Sequence, residues 1–389
     1  MAGTSRLAGL RFVDPHRPAP GAPSWTHDRV PADRSVQLPG SAQPLDVEVS
    51  GGGRTRGLAQ WIQETHGTSL VVVDRGTVVH EWYADGLGPD TLFLGASMSK
   101  SVLAHLVGVA VTAGTLAVDD PVTAHVPELA GTGYDGTTVE HLLTMTTGVD
   151  WVEDHRDPGS LASRLLACFA DGSGGSRDLL TTVGPGCPPG TRYEYCTGDS
   201  QVLDWVRERA TGQSFVAALT DLWRVLGCTS DAVVGTDGGG VALAGGGVAA
   251  TARDWARTGL LEVDGSYEGR QVLDAEWVER TAVPSRSFLA PGRLPSSITT
   301  HAGFGFHWWP LDSAGRTVTA DGSRGQFTYV DRDTGVVVVK TSQWPYDDWL
   351  ADRQSRDLSY LGLPRVAEAA VRARAHPTSD SPSLREVPA

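Results

Sequence analysis

Positive charge is scarce in this 389-residue chain, and the scarcity argues against one class of function. The 32 Lys and Arg residues face 46 Asp and Glu residues, which gives a formal net charge of −14. Nucleic-acid binding depends on clustered Lys and Arg side chains that neutralise phosphates. We therefore expect no nucleic-acid partner.

Long apolar runs are also missing. No segment reaches the roughly 20 consecutive apolar residues that a membrane-spanning helix needs. Near the N-terminus, Arg11, Asp14 and His16 interrupt the segment in which a secretory signal would require an apolar core. These features predict a cytoplasmic protein with no membrane partner.

Several sequence motifs of metal and cofactor sites are absent. The four cysteines, Cys168, Cys187, Cys196 and Cys228, lack C-x-x-C or zinc-ligand spacing, so we predict free thiols. No His-Glu-x-x-His or Gly-x-Ser-x-Gly occurs, which argues against a zinc hydrolase and an α/β-hydrolase elbow. The run GGGVALAGGG fits neither a Rossmann nor a phosphate-binding loop, and we expect it to let backbone pass close beneath a site. We predict no metal and no cofactor.

Strand-like sequence lies near both ends of the chain, and helix-like sequence lies between. Two β-branched runs flank residues 74–76 and predict a hairpin, and residues 333–335 predict a second one. Residues 116–249 show mainly helical spacing. We therefore predict an α+β fold, an α/β sandwich in which an antiparallel sheet built from both ends carries flanking helices and an inserted helical domain.

The same patterns predict the domain boundaries. Residues 1–56, rich in Pro, Gly and Ser, form an irregular N-terminal arm over the surface. Residues 57–115 and 250–375 form the sheet domain, and residues 116–249 form the mainly helical domain. Residues 376–389 form a disordered tail.

The segment GASMSKS holds the first candidates for chemistry. Ser97 and Lys100 are spaced so that their side chains lie on the same face of a helix, one turn apart. The apolar sequence that follows predicts a buried helix, and burial destabilises the lysine ammonium and makes the amine a usable base for a serine hydroxyl. The tetrapeptide alone also fits a serine at a helix start beside a solvated lysine.

Two later segments supply what such a site lacks. Tyr195 precedes a helical segment in YEYCT, and a phenol near a lysine can share its proton and reach a leaving group. Tyr193 competes for this role, although alternation directs one of the two elsewhere. The small residues ADGS, 320–323, edge a late strand where a backbone N–H could face the serine.

With these segments, the chain resembles the serine hydrolases of the penicillin-recognising, β-lactamase/transpeptidase-like fold: class C β-lactamases, D,D-peptidases and related esterases. The matching phrases, in the family's order within about residues 75–345, are SMSKS, TTVEHLLTMTTGVDW, PGTRYEYCTGDSQ and GGGVAATARDWARTG. Within that group, DWVEDHRDP, FHWWP and RGQFTYVDRDTG are most similar to the 6-aminohexanoate-dimer (nylon-oligomer) hydrolase branch.

The resemblance implies a role for each matching residue. Ser97 matches the family's acylated nucleophile, and Lys100 matches the lysine of the first family motif. Tyr195 matches the tyrosine of the second motif. The backbone N–H groups of Ser97 and Ser323 would form the oxyanion hole. The implied substrate-binding residues are His155, Trp309, Thr197 and Gly322.

Two departures from the family pattern bear on substrate choice. Ala320 begins the third motif, where relatives carry a basic residue that pairs with the carboxylate of β-lactams and D-Ala peptides, so we expect poor β-lactamase activity. His155 stands where the nylon-oligomer branch has a tyrosine. Either the imidazole replaces that phenol at the amide leaving group, or the enzyme favours esters, whose leaving groups need less protonation.

The resemblance thus implies a serine hydrolase that cleaves a small-molecule ester or amide without metal or cofactor, similar to 6-aminohexanoate-oligomer hydrolases and esterases. One alternative is a D-amino-acid peptidase or β-lactamase of the same fold. Another is a non-catalytic binding protein, which would be favoured if the amine of Lys100 lay beyond hydrogen-bond reach of Ser97. A homodimer is compatible with the sequence.

Overall fold

The computed structural model describes residues 26–170, 172, 174–284, 301–344 and 353–375. The predicted disordered tail lies outside these residues, as do residues 1–25 of the predicted arm. The helices are α1 (Leu58–Glu64), α2 (Met98–Thr112), α3 (Val122–His125), α4 (Val139–Leu143), α5 (Leu161–Ala170), α6 (Ser176–Leu180), α7 (Thr197–Thr211), α8 (Phe215–Leu226), α9 (Ala252–Asp264), α10 (Ala275–Ala282), α11 (Arg353–Ala375) and a 3₁₀ turn (Pro127–Leu129). Among these described helices, none combines the length and the apolar character needed to cross a bilayer.

The strands follow the same chain order and form two larger sheets and two hairpins. They are β1 (His27–Val30), β2 (Glu48–Gly51), β3 (Arg54–Gly57), β4 (Gly67–Asp74), β5 (Thr77–Tyr83), β6 (Phe93–Leu94), β7 (Ala232–Gly235), β8 (Val248–Ala250), β9 (Ser266–Tyr267), β10 (Arg270–Gln271), β11 (Trp309–Pro310), β12 (Thr317–Gly322), β13 (Gln326–Asp331) and β14 (Val336–Ser342).

The main sheet joins the two ends of the chain, as predicted. Its strand order is β11-β12-β13-β14-β4-β5, and every neighbouring pair is antiparallel. The early strand β4 lies beside the late strand β14, with Val72 opposite Val338. The hairpins β4–β5 and β13–β14 confirm the two predicted turns. The α+β fold with an antiparallel sheet is therefore confirmed.

Both faces of this sheet are covered, which explains why its central strands read as unbroken apolar runs. Val71 and Val337 belong to the core cluster that includes α2 and α9, whereas Val72 and Val338 belong to the cluster that includes Trp61 and α11. Alternate residues of a strand face opposite sides, so a sheet covered on both faces needs apolar residues at every position.

One charged residue interrupts the apolar pattern of β14. Lys340 is fully buried, and its Nζ lies 5.4 Å from the ring centroid of Trp61 and 5.9 Å from that of Phe327. It donates hydrogen bonds to the Ser342 hydroxyl and to the carbonyl oxygen of Thr65. Burial lowers the pKa of Lys340 to about 7.

The predicted irregular arm contains regular structure in its described part. β1 pairs with β7 in a second sheet of order β1-β7-β8-β6, and β2 and β3 form a hairpin. The irregular interpretation was wrong at these strands because each is only four residues long. Such short strands show little alternation, and the partner of β1 lies about 200 residues away in the sequence. The domain boundaries themselves remain predictions.

Candidate active site

The backbone is strained directly before α2, next to the serine of the Ser-x-x-Lys motif. Ser97 immediately precedes the helix. Ala96 has a φ of 46°, in the left-handed region that residues other than glycine rarely adopt. Gly95 packs against Trp255, where a Cβ would lie 2.3 Å from a ring carbon. Strain of this kind is concentrated at functional sites.

The amine of Lys100 lies among three oxygen atoms. Its Nζ is 3.2 Å from Ser97 Oγ, 3.1 Å from Thr197 Oγ1 and 2.8 Å from the carbonyl oxygen of Gly245. Gly245 belongs to the run GGGVALAGGG, and a Cβ there would lie 2.9 Å from Ser200 Cβ. This close approach confirms the expectation that the glycine-rich run lets backbone pass beneath the site.

Burial increases the fraction of this lysine that is neutral and can act as a base. The residue is 3% exposed. Desolvation lowers the pKa of Lys100 to about 8, although the negative charge of Glu153 acts in the opposite direction. A large fraction of the amine is therefore neutral near pH 8 and able to accept a proton.

Of the two candidate tyrosines, Tyr195 lies beside the serine and the lysine. Its ring centroid is 5.1 Å from Lys100 Nζ. Burial raises the pKa of Tyr195, although a hydrogen bond with Ser97 opposes the shift, so the group stays a neutral phenol. Tyr193 is packed against Phe304, with ring centroids 5.4 Å apart, and is not among the described residues that line the cavity.

An open cavity brings together five of the predicted site residues. The described residues that line it are Ser97, Tyr195, Trp309, Asp321, Gly322, Ser323, Phe327, Trp344, Arg356 and Tyr360. Trp309 is stacked between Tyr195, at 6.0 Å between ring centroids, and His301, at 4.3 Å. The neighbouring Trp308 instead packs in the core against His105.

The end of β12 reaches the loop before the serine. A Cβ on Gly322 would lie 2.1 Å from the carbonyl oxygen of Gly95, so only glycine fits this contact. Ser323 follows directly and lines the same cavity as Ser97. The two residues that the resemblance implies for the oxyanion hole thus border one space.

Thr197 and His155 are not among the described residues that line the cavity. The Thr197 hydroxyl lies between Lys100 Nζ and the carboxylate of Glu153. His155 Nε2 donates to Glu153 Oε1 at 3.1 Å. Both side chains therefore support the lysine and its neighbours, and their contact with substrate stays a prediction.

Glu153 is a functional candidate that the sequence analysis missed. Its carboxylate accepts hydrogen bonds from Trp151 Nε1 at 2.6 Å and from the Thr197 backbone N–H at 2.9 Å. Burial would raise the pKa of Glu153, but the hydrogen bond and charge of His155 and the charge of Lys100 outweigh it and lower the pKa to about 2. The sequence signal that could have pointed to Glu153 was an acidic residue two positions before His155.

Asp321 was also missed, because ADGS was examined only for its small residues. Asp321 Oδ2 accepts a hydrogen bond from His301 Nε2 at 2.7 Å and another from the Tyr360 hydroxyl. The carboxylate lines the cavity one position after Ala320. This part of the cavity therefore has an acidic side chain next to the position where relatives are expected to carry a basic residue.

Within the described ranges, no group of three or more His, Cys, Asp or Glu side chains is arranged to hold a metal ion. The four cysteines form no disulfide with one another. The arrangement present is a serine and a tyrosine that line one cavity, with the amine of Lys100 within hydrogen-bond reach of the serine hydroxyl, which suits acyl transfer.

Comparison with known proteins agrees with this chemistry. A protein-family model described as "Beta-lactamase" matches residues 56–360. The 6-aminohexanoate-dimer hydrolase of Paenarthrobacter ureafaciens is 35% identical over 302 residues, which cover 75% of this chain and 76% of that protein. Esterase EstB of Burkholderia gladioli is 36% identical over 146 residues, 34% of this chain and 36% of the esterase.

The fold has matches among solved structures. A Bacillus anthracis protein named as a candidate 6-aminohexanoate-dimer hydrolase superposes with a TM-score of 0.74. The match covers 91% of this chain and 92% of that one, at 22% sequence identity. At this identity the likeness establishes the fold alone.

Proposed function

Because the chain belongs to the beta-lactamase family of serine hydrolases, we propose that it cleaves an ester or amide bond of a small molecule through an acyl-enzyme on Ser97. The observation that carries this proposal is the 3.2 Å distance between Lys100 Nζ and Ser97 Oγ in a buried site. The same distance argues against the non-catalytic alternative, which an amine out of reach of Ser97 would have favoured.

The acylation step assigns one task to each group. Neutral Lys100 accepts the Ser97 hydroxyl proton as Oγ bonds to the carbonyl carbon. The N–H groups of Ser97 and Ser323 hydrogen-bond to the oxyanion, and loss of one such donor costs about 3 kcal/mol in the transition state. Tyr195 donates its proton to the leaving group and recovers one from the Lys100 ammonium.

Deacylation reverses these roles. A water molecule takes the place of the leaving group. As its oxygen attacks the acyl carbon, it gives one proton to the Tyr195 oxygen, and Tyr195 passes its own proton to neutral Lys100. The proton then returns to Ser97 Oγ as the acyl bond breaks. The cycle needs no redox step.

For the substrate, we propose a 6-aminohexanoate-oligomer hydrolase-like or esterase-like activity. The names of the two curated relatives support hydrolysis of amide or ester bonds. The cavity wall formed by Trp309, Phe327 and Tyr360 suits an aliphatic chain. We expect ester cleavage to be easier than amide cleavage, because His155 faces Glu153 and leaves Tyr195 as the phenol near the leaving group.

A D-amino-acid peptidase or β-lactamase remains a second candidate, and Arg356 is the observation that favours it. Arg356 lines the cavity, and although its guanidinium is paired with Asp357 at 3.0 Å, its positive charge would favour a substrate carboxylate. Asp321 opposes this, because its carboxylate borders the same space.

Covalent labelling tests the nucleophile. A fluorophosphonate should add one phosphonyl group to Ser97, located by mass spectrometry of the peptide, and Ser97→Ala should lose the adduct and the esterase activity. Ser101→Ala is the matched control, since the Ser101 hydroxyl donates to the His307 carbonyl oxygen at 2.7 Å, away from the cavity. Full activity in Ser97→Ala would refute the proposal.

A substrate panel tests the bond. Short-chain nitrophenyl esters, the linear 6-aminohexanoate dimer and a chromogenic cephalosporin should be compared by kcat/KM. Ester hydrolysis well above cephalosporin hydrolysis supports our proposal, whereas comparable rates favour the second candidate.

A further inference from the structure

We propose that Glu153 is a positioning residue: it holds the hydroxyl proton of Thr197 and thereby leaves the lone pair of Lys100 facing Ser97. The proposal rests on the proposed function, in which Lys100 is the base for Ser97. It assigns a direction to each hydrogen bond around the amine.

The first step concerns the proton of Thr197. The Thr197 hydroxyl and backbone N–H both contact the Glu153 carboxylate. The low pKa of Glu153 means that this carboxylate is ionised near neutral pH and has no proton to donate. The hydroxyl must therefore donate its only proton to Glu153, and its lone pairs alone remain for Lys100.

The second step concerns the amine. Two of its three neighbours, Thr197 Oγ1 at 3.1 Å and the Gly245 carbonyl oxygen at 2.8 Å, can only accept hydrogen bonds. A neutral amine has two N–H groups and one lone pair, and these two acceptors take both N–H groups. The lone pair is left for the third neighbour, Ser97 Oγ at 3.2 Å. To act as a general base, Lys100 must accept this hydrogen bond from the Ser97 hydroxyl.

Without the carboxylate, the direction is no longer enforced. In Glu153→Gln, the side-chain amide can donate to Thr197 Oγ1. The Thr197 hydroxyl is then free to donate to the lone pair of Lys100, which competes with Ser97. The substitution preserves size and changes only charge and hydrogen-bond direction, so it separates this role from packing.

The charge of Glu153 supplies an independent readout. Its carboxylate raises the pKa of Lys100, so its removal should lower that pKa and move the acid limb of the kcat/KM profile to lower pH. The other titratable groups that face Glu153 are His155, Tyr193, Glu194, Tyr195, Cys196 and Asp199. A shift of the acid limb to higher pH would mean that one of these groups, and not Lys100, titrates in that limb.

The lysine pKa can be read directly, because Lys100 and Lys340 are the two lysines of the chain. Biosynthetic [ε-¹³C]lysine gives one NMR signal for each, and Lys100→Met assigns them. In Glu153→Gln, we expect the titration of Lys100 to move to lower pH and that of Lys340 to stay in place. This measurement does not depend on Ser97 being the nucleophile.

Kinetics test the positioning. On a nitrophenyl ester, Glu153→Gln and Thr197→Val should each lower kcat by about tenfold to a hundredfold with a smaller change in KM. Thr197→Ser restores a hydroxyl and should recover most of the loss seen in Thr197→Val. The double variant should be no slower than Thr197→Val alone, because Glu153 acts through Thr197.

The outcomes are distinct. Wild-type kcat in folded Glu153→Gln, or additive losses in the double variant, would overturn the proposal. If Glu153→Gln does not fold, the comparison of Thr197→Ser with Thr197→Val tests the proposal. Equal rates for these two variants overturn the proposal, and a higher rate for Thr197→Ser supports it. Activity that survives in Ser97→Ala refutes the proposed function instead, and leaves the NMR result on the Lys100 pKa standing.

Discussion

Replacement of Lys340 by methionine should stabilise the protein, and the gain should shrink as the pH rises. The ammonium is buried against Trp61 and Phe327, and no carboxylate of the described chain pairs with it. Folding therefore disfavours the charged form. Methionine fills a similar volume without an ionisable group.

The magnitude follows from the pKa difference. Burial lowers the pKa of Lys340 from 10.5 to about 7 in the folded state. Each pKa unit is worth about 1.4 kcal/mol, so the charged form costs about 5 kcal/mol at low pH. Between the folded and unfolded pKa values, only the unfolded state holds the proton, and the stability of the wild type rises with pH. Between pH 6 and pH 9, this rise amounts to about 3 kcal/mol.

Urea unfolding of both proteins at several pH values measures this difference. The gap in unfolding free energy between Lys340→Met and wild type should narrow by about 3 kcal/mol from pH 6 to pH 9. Val338→Ala, on the same strand and in the same core cluster, is the matched control and should lose about 2 kcal/mol at every pH. Parallel curves for Lys340→Met and wild type would refute the reasoning.

Three further outcomes concern activity. The kcat/KM for a nitrophenyl ester should rise with pH through about 8 and fall about tenfold per unit below it, because the base form of Lys100 must be neutral. Gly322→Ala should lower kcat/KM at least about tenfold, because its Cβ would lie 2.1 Å from a carbonyl oxygen. Gly88→Ala is the control: its Cβ would meet no atom within 4 Å, so kcat/KM should not change. Tyr195→Phe should lower amide cleavage by about a hundredfold or more, and Tyr193→Phe, away from the cavity, should change the rate little; similar losses in both would contradict the assignment.

The features that could be predicted from the sequence are those set by neighbouring residues. Ser97 and Lys100 lie within one helical turn, so their spacing alone places the two side chains together. The hairpins β4–β5 and β13–β14 each combine a local turn with adjacent strands. The position of Tyr195 and of the β12 edge came from family resemblance, which carries long-range information that local patterns lack.

The missed features depend on contacts between distant segments. Glu153 lies 44 positions before Thr197 and becomes informative only when the start of α7 is placed against it. Asp321 meets Tyr360 from 39 positions away. β1 finds its partner about 200 residues later. No periodicity marks such pairs, because each partner is a single side chain or a very short strand.

The burial of Lys100 and Lys340, the two lysines of the chain, has a practical consequence. Amine-reactive reagents, which modify most proteins at their surface, should leave these side chains untouched in the native state. Each modified lysine then marks a molecule that has opened, and the two sites report separately on the helix α2 and on the strand β14. The labelling rates of the two lysines, measured by mass spectrometry, would thus compare local opening near the candidate active site with opening of the main sheet, without an engineered probe.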